Sequence, residues 1–262
     1  MISAAAKVQR GLWGTDARAW ADLAEAHNRP LFEAVLDATG MEEGTRVLDV
    51  GCGTGLTLVL AAERGAVPAG LDVTPELLAI ARERLPGADM REGDMETLPW
   101  EDEAFDAVVG VNAFQFAGDA RRALAEAARV VRPGGRVVAS LFAAPERSQS
   151  TVVHHAMQAL IPPADAAEHA PYALSAPGNL EAALKDAGLR VTADGEVGCS
   201  WRYASMADAI HGLLCSAGGA RAKEAAGEDA VRSTLAEALA PFERGDGIVT
   251  MDNTFRWVAA SR

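Results

Sequence analysis

"LDVGCGTG", residues 48–55, ends an apolar run on an acid and then sets glycine at alternate positions, Gly51, Gly53 and Gly55. Glycine lets a backbone turn sharply and approach a ligand with no Cβ in the way. "RVLDVG" before the loop reads as a buried strand, and "LTLVLAAERG" after it as a helix closed by Gly65. A strand-to-helix turn of this kind in an open α/β sheet lies at the carboxyl end of a strand, where ligands bind if the strand order reverses there. The helix start adds unpaired N–H groups that favour an anionic group. The spacing departs from the dinucleotide fingerprint G-x-G-x-x-G, because the third glycine comes one residue early and Leu56 fills the fingerprint position.

Outward from the loop, residues 46–142 alternate strand and helix. "PAGLDV" is a second strand, and Thr74 then caps a helix with Pro75 at its first position. "ADMREG" is a weaker third strand, and "FDAVVGVN" is nearly all apolar, as a strand covered on both faces must be. Asp119 caps the next helix, which stops at "RPGG" before "RVVASLF". Strands joined by helical crossovers imply a parallel, doubly wound sheet with right-handed connections. Beyond it come a helix ended by Gly188, a bent strand "RVTADGEVGCSWRY" and a C-terminal strand "DNTFRWVAAS". Residues 205–243 hold two helical patterns, Ile210, Leu213 and Leu214 in one, Val231, Leu235 and Leu239 in the other. Residues 143–177 make a long connection, and loops of that length in a compact domain usually cover a site.

Asp72 ends the second strand, seventeen residues after Gly55, where a carboxylate can accept hydrogen bonds from both hydroxyls of a ribose. The other role open to it is a strand-end acid near a helix N-terminus. In "REGDMETLPW", Asp94 and Met95 follow the third strand, where an acid can take an adenine amino group and an apolar chain can cover the ring.

Taken in order, "VLDVGCGTG", "LDVTPELLAIAR", "GDMETLPW", "FDAVVGVNAFQF" and "EAARVVRPGG" resemble the class I S-adenosylmethionine-dependent methyltransferases, in the small-molecule branch similar to the ubiquinone/menaquinone (type 11) enzymes. The resemblance is close over about residues 44–143 and loose over the last strand pair. It implies an α/β fold with a doubly wound, mostly parallel seven-stranded sheet, the last strand antiparallel and set between the fifth and sixth, with helical cap insertions. It implies S-adenosylmethionine as cofactor and S-adenosylhomocysteine as product. Gly51, Cys52, Gly53 and Gly55 would wrap the methionine part, Asp72 would hold the ribose with Val73 beside the adenine, and Asp94 and Met95 would bind and cover the adenine. Asn112 would lie beside the sulfonium and the acceptor, with Phe114 and Gln115 in the same loop. On this division residues 1–43 are a helical lid, 44–143 the cofactor-binding core, and 144–262 cap insertions plus the strands that complete the sheet of one domain.

Which acceptor is methylated is less legible. Asn112-Ala113-Phe114-Gln115 departs from the "NPPY" of enzymes that methylate base amino groups or glutamine amides, and Gln115 cannot serve as a base. A base would come from the cap, where His154 and His155 are adjacent; on a helix they point about 100° apart, so one at most faces a site. His169, Tyr172, Tyr203 and His211 lie in the same insertions, and each is as well explained by packing or surface. Trp13 and Trp20, seven apart, fall on one helix face, either as core or as a lid able to stack on a cationic sulfonium. With Phe114 and Tyr172 they are candidates for enclosing an apolar, medium-sized acceptor.

Bulk properties narrow the partners. The net charge of −13 over 262 residues disfavours nucleic acid and anionic membranes, leaving a small-molecule acceptor. No stretch reaches the ~20 apolar residues of a membrane helix, and the first residues carry no signal-peptide core. Cys52, Cys199 and Cys215 lack zinc-ligand spacing and cannot all pair, which favours a reducing cytoplasm and no metal. The chain reads as a monomer or homodimer in secondary metabolism, the last by analogy of fold. Two alternatives stand beside methyl transfer: a cofactor-binding scaffold or cyclase that transfers nothing, and an NAD-dependent oxidoreductase, which the glycine spacing disfavours.

Overall fold

The computed structural model describes residues 2–162 and 173–262. Among them seven strands form one sheet in the order β3-β2-β1-β4-β5-β7-β6. They are β1 (Arg46–Val50), β2 (Val67–Asp72), β3 (Asp89–Glu92), β4 (Phe105–Val111), β5 (Val131–Phe142), β6 (Arg190–Tyr203) and β7 (Val249–Ser261). The first five are parallel. β7 runs antiparallel between β5 and β6, as the resemblance implied, and β6 carries its bend as a register shift between Val191 and Ala193. The fold is therefore the expected α/β one: doubly wound, mostly parallel, with the last strand reversed.

The helices used below are α1 (Ala4–Trp13), α2 (Arg29–Thr39), α3 (Leu56–Glu63), α4 (Pro75–Arg84), α5 (Ala120–Val130), α6 (Thr151–Gln158), α7 (Asn179–Asp186), α8 (Met206–Leu214), α9 (Ala217–Ala226) and α10 (Glu228–Leu239). Leu31, Val35 and Leu36 of α2 cover one face of the sheet, and Leu124 of α5 with Leu180 and Leu184 of α7 cover the other. All six are fully buried, each worth roughly 1.5–3 kcal/mol relative to exposure. That two-sided cover is why β1 and β4 read as continuous apolar runs. No helix among the described residues is long and apolar enough to cross a membrane.

Local chemistry departs from the sequence reading in three places. Residues 205–243 hold three helices, α8, α9 and α10, where two patterns were expected. Gly218 and Gly219 masked α9, yet Gly219 is demanded by packing, since a Cβ there would lie 2.3 Å from the Leu213 carbonyl oxygen. Trp13 and Trp20 do not share one helix: α1 stops at Trp13, and the chain bends before Asp16 restarts it. Thr74 precedes α4 as expected, but its hydroxyl makes no capping bond.

The sheet order reverses between β1 and β4. The loops after these strands meet there: a Cβ on Gly51 would stand 2.6 Å from the Ala113 Cβ. Gly51 also has φ +77°, so the position requires glycine on both counts.

Candidate functional site

One cavity of about 910 Å³ opens over the carboxyl ends of β1, β2 and β4. It lies near the top of the ~300–1,000 Å³ range of small-molecule sites. Its floor is the glycine loop, with Gly51, Cys52 and Gly53 on the lining, while Gly55 stands behind at the start of α3 against Ala81. A Cβ on Gly53 would meet nothing within 4 Å, so the backbone there faces open space.

Asp72 is 8% exposed. Its carboxylate accepts N–H bonds from Gly53 (2.9 Å) and Thr74 (2.8 Å), tying the end of β2 to the glycine loop. Burial pushes its pKa up against those donors. Asp49, one strand over, is fully buried, and its Oδ1 has no hydrogen-bond partner. Burial, opposed by Thr57 and reinforced by the charges of Asp72 and Glu25, raises its pKa to about 7. Asp94 accepts from the N–H of Glu96 (3.0 Å) and from the N–H of Ser3 (2.7 Å), which seats the N-terminal segment over the loop after β3. Burial raises its pKa, but those donors prevail and hold it below the usual range. Val73 and Met95 complete this wall.

Asn112 has φ +52°, an uncommon left-handed conformation for a side chain of any size. Its Oδ1 is buried without a partner, as is the Oε1 of Gln115, whose Nε2 donates to the Asn112 carbonyl at 3.3 Å. Both residues line the cavity. Phe114 does not. Its ring is 1% exposed and packs on β4, where a Cβ on Gly110 would lie 2.3 Å from it. The short turn after Asn112 instead directs Phe116 to the cavity, edge-on to Trp13 at 6.0 Å. Trp13 and Trp20 meet edge-to-face at 4.9 Å, lining the cavity while packing on Leu77 and Ile80, so their rings stand between cavity and core.

The far end is apolar: Phe32, Phe142, Met157, Ile161, Trp201 and Leu213. His154 faces it, with ring centroids 5.5 Å from Phe142 and 6.3 Å from Trp201, while His155 is exposed outside the lining. Tyr203 lines the chamber too, its phenol pushed up by burial. His211 lies outside the lining, and His169 and Tyr172 fall outside the described residues. Cys52 lines the floor as a buried thiol whose pKa burial raises well above the ordinary value, which suppresses thiolate chemistry.

Burial, with help from His155, lowers the His154 pKa to about 4. The unfolded chain, with an ordinary histidine near 6.5, then binds the proton more readily. Stability is therefore lost as pH falls from about 6.5 toward 4. Replacing His154 with Gln is expected to remove about 2–3 kcal/mol of that loss at pH 4.5 while changing little at pH 7.5. Urea denaturation of both proteins at the two pH values checks this; a gap that does not change with pH contradicts the burial.

Asp49, Gln9, Phe116, Phe142 and Trp201 are lining residues that the sequence reading did not single out. Trp201 had a signal, because Cys199, Trp201 and Tyr203 alternate as the buried face of β6. Asp49 was read only as the end of an apolar run.

The cavity fits S-adenosylmethionine on its own chemistry. Gln9, Asp49, Thr74, Asn112 and Gln115 each present a buried acceptor oxygen with no partner, all around one space. Such groups call for a ligand rich in donors. Carboxylates of Asp49, Asp72 and Asp94 line the same cavity, beside a Glu25 already paired with Arg84 at 2.6 Å, which favours a cationic ligand and repels a pyrophosphate.

Residues 48–139 match the family described as Methyltransferase domain. The demethylmenaquinone methyltransferase of Renibacterium salmoninarum is 38% identical over 111 residues, 42% of this chain and 47% of that protein. The malonyl-(acyl-carrier protein) O-methyltransferase of Serratia marcescens is 37% identical over 123 residues, 47% of this chain and 48% of that one. The chain thus spans about half the length of the curated relatives it matches. Among solved structures, geranyl diphosphate C-methyltransferase of Streptomyces coelicolor superposes with a TM-score of 0.57 at 14% identity, over 99% of this chain and 98% of that one. The (4+2)-cyclase SpnF gives 0.52 at 23% identity, over 86% and 80%. These two likenesses establish the fold, and the sequence matches establish a methyltransferase domain over residues 48–139. Over residues 48–139, the stretch that the family matches, this chain thus carries a methyltransferase domain by sequence, set in the fold of the solved structures it resembles.

Proposed function

We propose that this protein transfers a methyl group from S-adenosylmethionine to a small, largely apolar acceptor by in-line displacement. The observation that carries the reading is the cluster of unpartnered buried acceptor oxygens and carboxylates on one cavity, whose lining also carries the apolar side chains of Phe32, Phe142, Met157, Ile161, Trp201 and Leu213. Asp49 and the glycine loop would take the ammonium end, Asp72 the ribose, and Asp94 with Met95 the adenine. When bound, the cofactor supplies the electrophilic methyl carbon. The chain supplies alignment and exclusion of water. Asn112 and Gln115 present oxygens toward the junction of the two halves. Trp13 and Trp20 close one side, and Phe142 and Trp201 bound the acceptor chamber. His154, neutral at physiological pH and on the cavity lining, would accept a hydrogen bond or proton from an acceptor hydroxyl.

A second reading, cofactor binding without transfer, draws on one observation: Gln115 has no basicity and His154 is a weak base at about 4. The two readings share a first test. Calorimetric titration with S-adenosylhomocysteine beside NADH is expected to show micromolar binding of the former alone. Preference for NADH, or no binding, overturns both. Methyl transfer to members of a panel of phenols, quinols and short-chain acids then separates them.

A further inference from the structure

Away from the cavity, three side chains of different chemistry converge from opposite ends of the chain. His211 Nε2 lies 3.0 Å from Asp16 Oδ2, 195 residues away in sequence. Cys215, one turn further along α8, points back toward His211, its Sγ 3.0 Å from the His211 carbonyl oxygen. One donor atom from each of Asp16, His211 and Cys215 lies within 4.8 Å of the others.

We propose that Asp16, His211 and Cys215 form a binding site for one divalent cation of the zinc class, bracing the N-terminal segment against α8. Residues i and i+4 on a helix share a face, so His211 and Cys215 offer nitrogen and sulfur to the same point. Asp16 is held in place from behind, because its Oδ1 accepts the Ala19 N–H at 3.3 Å and leaves Oδ2 to face the pair. A sulfur, a nitrogen and one carboxylate oxygen suit zinc or cobalt, and do not suit calcium or magnesium, which take oxygen sets. Bonds of about 2.0–2.3 Å in a tetrahedron separate ligand atoms by about 3.3–3.8 Å. The present spread, within 4.8 Å, would close to that separation on binding, with water as the fourth ligand.

Binding exchanges protons for metal. The Cys215 thiol, pushed up to about 12 by burial and the neighbouring Asp16 charge, releases its proton to solvent as the sulfur–metal bond forms. The imidazole gives up its contact with Asp16, and both then bond to the ion. The charges of Lys223 on α9 and of Arg232 on α10 favour the thiolate, Arg232 being itself paired with Glu228 at 2.7 Å. The brace joins two stretches of the cavity wall, with Trp13 and Trp20 on either side of Asp16 in the chain and Leu213 and Ala217 on either side of Cys215.

The test is titration of the chelator-stripped full chain with Co²⁺, read by absorption. One equivalent is expected to give a near-ultraviolet thiolate–cobalt band and tetrahedral visible bands, both removed by Zn²⁺. C215S should abolish the near-ultraviolet band, and H211A and D16N should each weaken cobalt binding at least about tenfold. The double variant C52S/C199S should keep the band. Absence of a thiolate–cobalt band in excess Co²⁺ overturns the site, leaving an ordinary His–Asp ion pair beside a buried thiol. So does a band lost in C52S/C199S or retained in folded C215S. Should C215S not fold, wild-type cobalt affinity in both H211A and D16N overturns it equally.

Discussion

Replacing Asp72 with Ala is expected to weaken S-adenosylhomocysteine binding by at least tenfold while the protein stays folded. A hydrogen bond to a charged group contributes about 1.5–3 kcal/mol, and a ribose would make two to this carboxylate. The structure adds a second route to the same loss. Asp72 already accepts the N–H groups of Gly53 and Thr74, so its removal frees the glycine loop as well as the ribose. Asp72→Asn separates the two effects only in part, since an amide offers one acceptor oxygen where two N–H donors converge. The fold should survive, because β2 is held by its ladders to β1 and β3 and by the core beneath. Calorimetric titration of wild type and both variants checks the expectation, with circular dichroism confirming that each is folded. Affinity within threefold of wild type for Asp72→Ala would sink the ribose assignment.

Much of this site was legible in the sequence, for a physical reason. A backbone that must turn at the end of a buried strand needs glycine at fixed intervals, and Gly51, Gly53 and Gly55 all take positive φ. The acids at the ends of β2 and β3 were equally readable, because strand ends in a doubly wound sheet converge on one edge. What sequence could not show depends on turns and on distant pairing. Phe114 and Phe116 are two apart, and only the left-handed Asn112 and the short turn after it decide which ring enters the core. Gly218 and Gly219 look like helix breakers until the close approach of the Leu213 carbonyl is seen. His211 and Cys215 share only an i, i+4 spacing, and Asp16, the third of the group, lies 195 residues from His211. Trp13 and Trp20 illustrate an expectation reached by the wrong route: their rings meet through a bend in the chain and not along one helix face.

Asp49→Asn is expected to do two opposite things, making the protein more stable and the cofactor site worse. The folded pKa of about 7 lies above the roughly 3.9 of an unfolded aspartate. The folded state thus holds the proton more tightly. The corresponding stability is fully present below pH ~4, declines as pH rises, and is gone once pH has passed about 7. At pH 8 the ionised carboxylate costs the empty protein on the order of 4 kcal/mol. An asparagine keeps the shape and avoids that cost, so the variant should exceed wild type by up to a few kcal/mol at pH 8 and match it near pH 4. His154 titrates in both proteins and cancels from the difference. The same substitution removes the one fully buried carboxylate, among the described residues, with an unpartnered oxygen on the cavity, and a charge-assisted bond to an ammonium lost there weakens binding by about 10- to 150-fold. Binding of S-adenosylhomocysteine to wild type near pH 6.5 should also release a proton, seen as a calorimetric heat that varies with buffer ionisation enthalpy, and the variant should release less. A variant no more stable than wild type at pH 8 would mean that Asp49 is not strained by its burial. A variant that gains stability and still binds normally would mean that the strained carboxylate faces something other than the cofactor. The pairing of a stability gain with an affinity loss is what distinguishes a carboxylate held for a ligand from one held for the fold.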